Sequence, residues 1–188
     1  TVEGWFKINS GSNFGLFMNN TSGLSSTYGV SLHYYTDDGL AFYASGSKIS
    51  SNIHPPSGQW FHVALVRNSG TTSLYYNGIL TKSATDNTNY TGEKFVIAGY
   101  HSTSYLLNGS VSNFRIVKGT AVYTSSFRPP TEPLTNVTNT KLLCCNNSST
   151  TGSTVTPGTI TANGSPTASS NSPFDDPAGF VFGDSGDQ

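Results

Sequence analysis

Apolar and polar residues alternate along most of the first 145 positions, and a period of two is what a strand with one buried face produces. In residues 1–9, TVEGWFKIN, Val2, Phe6 and Ile8 share one face while Glu3, Trp5 and Lys7 share the other. FGLFM (14–18) follows a Gly/Ser turn. VSLHYYTDDGLAFYA (30–44) reads as a hairpin turning at Asp37-Asp38-Gly39, where Asp and Gly accept the backbone angles a tight turn needs. WFHVALVR (60–67) is apolar on both faces, which marks a central strand. TSLYYNGIL (72–80) contains Asn77-Gly78, the strongest short hairpin signal. KFVIAGY (94–100), SVSNFRIVKG (110–119) and TKLLCC (140–145) supply further strands. No window of about a dozen residues keeps apolar positions at helical spacing. The pattern predicts an all-β sandwich of two antiparallel sheets.

After Cys145 the alternation stops. Residues 146–172 are Ser, Thr, Asn and Gly with almost nothing to bury, and read as an extended low-complexity arm or linker that orders only by packing on a neighbour. Residues 173–188 regain some apolar character and read as the start of a following module or tail. The division expected is therefore a sandwich over 1–145, an arm over 146–172, and an entry to something further.

Composition changes the picture in one respect. Only 10% of residues are charged against 35% hydrophobic, with Ser, Thr, Asn and Gly filling the difference. That balance suits an extracellular β-protein rather than a cytosolic α/β enzyme. The nine Lys and Arg form no stripe and the formal net charge is -1, which argues against nucleic acid and anionic membranes as partners. No apolar run approaches the ~20 residues of a membrane-spanning helix. Cys144 and Cys145 are adjacent, so their side chains leave a strand on opposite faces and a bond between them would be strained. Both read as small buried hydrophobes, and stability must come from the core.

Three stretches carry a resemblance. TVEGWFK, then GQWFHVALVRNSGTTSLYYNG, then GYHSTSYLLNGSVSNFRIVKGTAVYTSSFRPPTEPLTNVTNTKLLCC resemble the laminin-G-like, concanavalin A-like lectin modules. Such modules are widespread in structural proteins of tailed bacteriophages, notably those infecting marine cyanobacteria. The resemblance covers roughly residues 1–146 and implies a concanavalin A-like jelly roll. It further implies a non-enzymatic module of a virion chain (tail fibre, baseplate or capsid-decorating fibre), displayed outside the particle. Its expected partners are other virion subunits and a host-surface polysaccharide, held weakly by many copies of a multimer such as a homotrimer. The alternatives are a purely structural spacer and a bacterial surface adhesin. Similar modules have one or two strands before TVEGW, so the chain reads as a piece of a longer protein.

The residues offer little catalytic chemistry. Laminarinase-type hydrolases on this fold need two carboxylates about 5–5.5 Å apart for retention, set at alternate strand positions. Glu3, Glu93 and Glu132 are isolated in sequence, and Asp37-Asp38 sits in a turn. No Gly-x-Ser-x-Gly elbow is present, and His62 between Phe61 and Val63 is poorly placed for a general base. A sugar site needs an aromatic face with amide or carboxylate groups beside it. Candidates fall in three loops: Tyr34, Tyr35, Asp37, Asp38 and Tyr43; Tyr100, His101, Tyr105 and Asn108; and Asp86, Asn87 and Asn89. The last three are also weak candidates for a calcium ion, as hard oxygen ligands at a sandwich rim; otherwise no cofactor is expected.

Overall fold

The computed structural model describes residues 1–19, 29–90, 94–100 and 105–174. His101, Glu93 and the acidic residues of 175–188 lie outside the described residues. Among the described residues, twelve strands form two antiparallel sheets. They are β1 (Val2–Ser10), β2 (Asn13–Met18), β3 (Ser31–Tyr35), β4 (Gly39–Ala44), β5 (Ser47–Ser50), β6 (Trp60–Asn68), β7 (Thr71–Tyr76), β8 (Ile79–Thr85), β9 (Val96–Ile97), β10 (Asn108–Val117), β11 (Thr140–Cys144) and β12 (Ser153–Val155). One sheet runs β12-β11-β10-β1-β6-β7-β8 and the other β5-β4-β3-β2-β9. The predicted all-β sandwich is the observed architecture.

The core lies between the sheets. Phe6, Phe17, Phe42, Phe61 and Phe114 are fully buried there with Leu16, Leu32, Leu40 and Leu74. Each such side chain removed from water contributes about 1.5–3 kcal/mol. Val2, Phe6 and Ile8 face this core, as the alternation required.

β6 is apolar on both sides because both sides are covered. Phe61, Val63 and Leu65 face the opposite sheet, whereas Ala64 and Val66 pack with Tyr75 against Ala121, Tyr123 and Phe127. The segment between β10 and β11 therefore roofs the outer face of the seven-stranded sheet. Both predicted hairpins form. Asn77 and Gly78 take positive φ of 47° and 78°, and Asn77 Oδ1 accepts the His62 backbone N–H at 2.8 Å. Tyr35 pairs with Gly39 across the Thr36–Asp38 turn.

One strand is shorter than its sequence suggests. KFVIAGY pairs only through Val96 and Ile97, on β2. Ala98 then adopts φ 61°, and the chain leaves the ladder to cross the sheet's outer face. Gly15 makes that crossing possible, since a Cβ there would stand 2.2 Å from the Gly99 carbonyl oxygen. Cys144 and Cys145 are both free, their Sγ atoms 3.8 Å apart. Within 146–172, Ser153–Val155 adds an edge strand to β11. Asn171 and Phe174 touch β1 and β6.

Candidate functional site

The outer face of the five-stranded sheet gathers aromatic side chains from three separate stretches. On β3 the alternation turns Leu32 and Tyr34 inward and leaves His33 and Tyr35 outward; on β4 it turns Leu40 and Phe42 inward and Tyr43 outward. Tyr100 arrives over His33 on the segment that Gly15 lets through. The ring centroid of His33 lies 5.9 Å from Tyr35, 5.8 Å from Tyr43 and 5.5 Å from Tyr100, and Tyr105 stands 5.5 Å from Tyr100. The Gly15 N–H donates to the Tyr105 carbonyl at 3.3 Å, which fixes that edge to the sheet.

The floor of this patch is buried and its margin is open. His33 is 1% exposed, whereas Tyr105 is 61% exposed and Tyr35 and Tyr43 are half-buried. Burial pushes the His33 imidazole down to about 4, so it is neutral at ordinary pH. Its Nε2 is buried without a hydrogen-bond partner among the described residues. Tyr35 and Tyr43 share a hydroxyl–hydroxyl bond of 3.4 Å. Burial and then Tyr43 push the Tyr35 phenol far above its ordinary range, so it stays a donor. Lys48 stands over the Tyr35 ring, 5.0 Å from its centroid, and pairs with Asp38. That hydrogen-bonded pair lowers Asp38 and raises Lys48, keeping both charged.

The twelve candidates thus separate. Tyr35, Tyr43, Tyr100 and Tyr105 meet on one face, with Asp38 at its edge. Asp37 is exposed in the turn next to it. Tyr34 belongs to the inner side, stacked on Phe14 at 5.1 Å with its hydroxyl 3.3 Å from His54 Nδ1. Asn108 is at the start of β10 and donates to Ser10 Oγ at 2.7 Å. Asn87 and Asn89 are exposed at the rim beside Asp86.

Asp86 itself is 0% exposed and faces inward. Its Oδ1 accepts from Ser45 N at 3.3 Å, Ser45 Oγ at 3.4 Å and Thr88 N at 3.2 Å; its Oδ2 accepts from Thr72 Oγ1 at 2.9 Å and Tyr90 Oη at 2.6 Å. Burial opposes its charge, but these donors outweigh burial and hold the carboxyl below its ordinary range. Burial and the same contact push Tyr90 up to about 12. A cavity of about 50 Å³ beside Asp86, lined by Leu65, Arg67 and Thr72, has room for a few waters only. Five donors around one carboxylate suit a structural clamp better than a cation, which needs acceptors. Among the described residues, no group of three or more His, Cys, Asp or Glu is placed to hold a metal ion.

Two features escaped the sequence. His33 and Lys48, which organise the aromatic face, carry no motif. Glu3, isolated in sequence, is joined in space to His62. Glu3 Oε1 accepts from Arg115 Nε at 3.0 Å and Nη2 at 2.7 Å; Oε2 accepts from Tyr123 Oη at 2.8 Å and lies 3.3 Å from His62 Nε2. The antiparallel register sets Glu3 opposite Arg115, and nothing short of strand pairing reveals it. The cluster is sealed beneath the 118–139 segment and pins that segment to the sheet.

Two antiparallel sheets packed face to face make the architecture a concanavalin A-like sandwich. The laminin G profile of the Concanavalin A-like lectin/glucanases superfamily matches residues 1–122, and the chain belongs to that superfamily. No curated protein sequence matches it. Among solved structures it is similar to a carbohydrate binding protein from Bacteroides ovatus, that role being itself a provisional assignment. The identity is 19%, over 61% of this chain and 35% of that one, with a TM-score of 0.49. It is also similar to the native heptameric SAP-like pentraxin of Limulus polyphemus, at 18% identity over 61% of each chain and a TM-score of 0.41. The chain spans about a third of the first structure and under two thirds of the second.

Proposed function

We propose that this domain is a non-catalytic glycan-binding module, and that the open aromatic face of the five-stranded sheet is where the sugar lies. The convergence of Tyr35, Tyr43, Tyr100 and Tyr105 around His33 carries this reading. Aromatic faces stack on the apolar side of a pyranose, while the Tyr35 and Tyr43 hydroxyls, the Lys48 ammonium and the Asp38 carboxylate offer partners to its hydroxyls. Membership of a superfamily of lectins and glucanases supports a carbohydrate ligand. The state of three described carboxylates supports binding without hydrolysis. Glu3 and Asp86 are buried and saturated with donors, and Asp38 is paired with Lys48. Binding in this mode needs no metal ion.

A face of this kind is open rather than enclosed, so each site holds a sugar weakly and attachment comes from many copies. Linking sites raises avidity by ~10²–10⁴. That is how a module on the outside of a phage particle would hold host-surface polysaccharide, the setting the family resemblance suggests. A second reading, a spacer contacting other virion subunits, is favoured by Ile79 and Leu80. These are 65% and 45% exposed on the edge strand β8. The bacterial adhesin would use the same face on a different carrier.

A glycan array probed with a multimerised form of the domain tests the proposal. Signal should appear on surface polysaccharides and fall about tenfold or more in Tyr43→Ala and Tyr105→Ala, a stacked ring contributing roughly 1–2 kcal/mol. Silence across the array favours the spacer, and new reducing ends from any polysaccharide would overturn the non-catalytic reading.

A further inference from the structure

The outer face of the seven-stranded sheet carries a strip of Trp5 and Lys7 from β1 and Trp60 from β6. Register sets Lys7 opposite Trp60 and Trp5 opposite His62. The Lys7 ammonium lies over the Trp60 ring, 5.1 Å from its centroid. A short piece of the chain's own arm docks on this strip. Asn171 Oδ1 accepts from Trp60 Nε1 at 2.9 Å and from Lys7 Nζ at 2.6 Å, so two donors converge on one oxygen. Phe174 meets the Trp5 ring edge to face, with centroids 5.9 Å apart. Two contacts three residues apart, one polar and one aromatic, make a recognition element rather than incidental packing.

What leads to that element is loosely held. Residues 161–170 are all exposed and contain no strand. Upstream, Ile160 packs against the core and Gly164 lies beside Leu106, so the arm is attached as far as Gly164. There the chain turns on itself: Gly164 has φ 73° and Ser165 φ 55°. The left-handed region is unfavourable for Ser165, more so because Pro166 follows and pushes its predecessor toward extended backbone. Docking on the same molecule thus keeps a strained hinge, which an extended path would release.

We propose that Asn171–Phe174 is an exchangeable docking arm, and that the Trp5–Lys7–Trp60 strip accepts the same arm from a second copy of this chain. The contacts are the same whichever copy supplies the arm, and only the hinge differs. Extended from Ser165 to Asn171 the arm reaches about 20 Å, enough to cross to an abutting copy. Exchange of one element between identical chains is a low-cost route to assembly, and a strained hinge promotes it. The strip lies on the opposite sheet from the tyrosine face, so either surface can be inactive without the other.

The full chain tests this with two complementary variants. Trp60→Phe with Lys7→Ala removes the acceptor and keeps the arm; Asn171→Ala with Phe174→Ala removes the arm and keeps the acceptor. Light scattering up to about 1 mM, the range of a short tether's effective concentration, should show wild-type chains gaining mass. Each variant alone should stay monomeric, and the equimolar mixture should give a 1:1 species. Ser165→Pro, which cannot take positive φ, should raise the association constant roughly tenfold, and Ser165→Gly should lower it. The hinge variants leave the sandwich untouched and carry the test if the acceptor variant fails to fold. The proposal is overturned if wild type and Ser165→Pro both remain monomeric, whether tryptophan emission shows the arm docked on its own chain or not docked at all. It is overturned equally if association persists unchanged when the arm contacts are removed.

Discussion

Replacing Glu3 with glutamine should cost a large share of the domain's stability. Glu3 is 0% exposed and Arg115 5% exposed, so the pair has little water to fall back on. Arg115 places Nε and Nη2 on one Glu3 oxygen and gives Nη1 to the Thr135 carbonyl at 2.8 Å. The other Glu3 oxygen takes Tyr123. The Glu3→Gln side chain would keep the volume but leave a buried guanidinium without its countercharge and turn an amide donor toward Tyr123 or His62. Breaking a buried pair from one side costs about 3–5 kcal/mol. Against a total near 5–15 kcal/mol, that decides whether the domain is folded when warm. Replacing both partners with apolar groups, Glu3→Leu with Arg115→Met, removes the orphaned charge and should recover much of the loss. Urea unfolding at neutral pH, followed by tryptophan emission, reads wild type and both variants. There is also a pH signature. Burial opposes the Glu3 charge, but His62 and Arg115 outweigh it and hold the folded carboxyl below its unfolded value. Its stabilisation is therefore complete above the unfolded glutamate range, ~4.3, and is lost as pH falls through the lower folded value. A loss under about 1 kcal/mol in Glu3→Gln, or a double variant no more stable than Glu3→Gln, would refute the reasoning.

Three further outcomes follow from the other buried groups. His33 has a folded value of about 4, lowered by burial, so its contribution is intact above ~6.5 and is lost as pH falls toward 4. Wild type should lose about 3 kcal/mol relative to His33→Phe across that window, a higher one than that of Glu3; parallel curves in urea titrations would show His33 accessible to protons when folded. Asp86→Ala should destabilise by roughly 2–4 kcal/mol, since it strands buried donors including Thr72. The melting temperature should be the same in calcium and in chelator, and a calcium-dependent rise would support the cation reading of Asp86, Asn87 and Asn89.

The aromatic candidates were legible one by one but not as a set. Tyr35 and Tyr43 share a predicted hairpin, and alternation places both on its outer side. Tyr34 stands beside them in the sequence, although the same alternation sends it inward, where Phe14 stacks on it. Tyr100 and Tyr105 join them only because the chain leaves β9 after two residues and passes over Gly15. A continuous apolar run such as KFVIAGY cannot announce that departure. Asp86 looks like a rim ligand in the sequence because Asp and Asn in a polar loop are usually exposed. Its burial depends on Ser45 and Thr72 arriving from two other strands or turns, with Tyr90 closing over it from the same loop.

By itself, the sequence determined what local physics determines. Period-two alternation, the Asn77-Gly78 and Asp37–Gly39 turns and the doubly apolar β6 specify strands, hairpins and a sandwich, because side-chain direction in a strand and φ in a turn are decided within a few residues. Only the tertiary structure decided what stands opposite what. The Glu3–Arg115 pair spans most of the sequence, the tyrosine face draws on three segments, and the arm returns from residue 171 to meet Trp60. These meetings follow from strand register and chain crossings, which depend on the whole core at once.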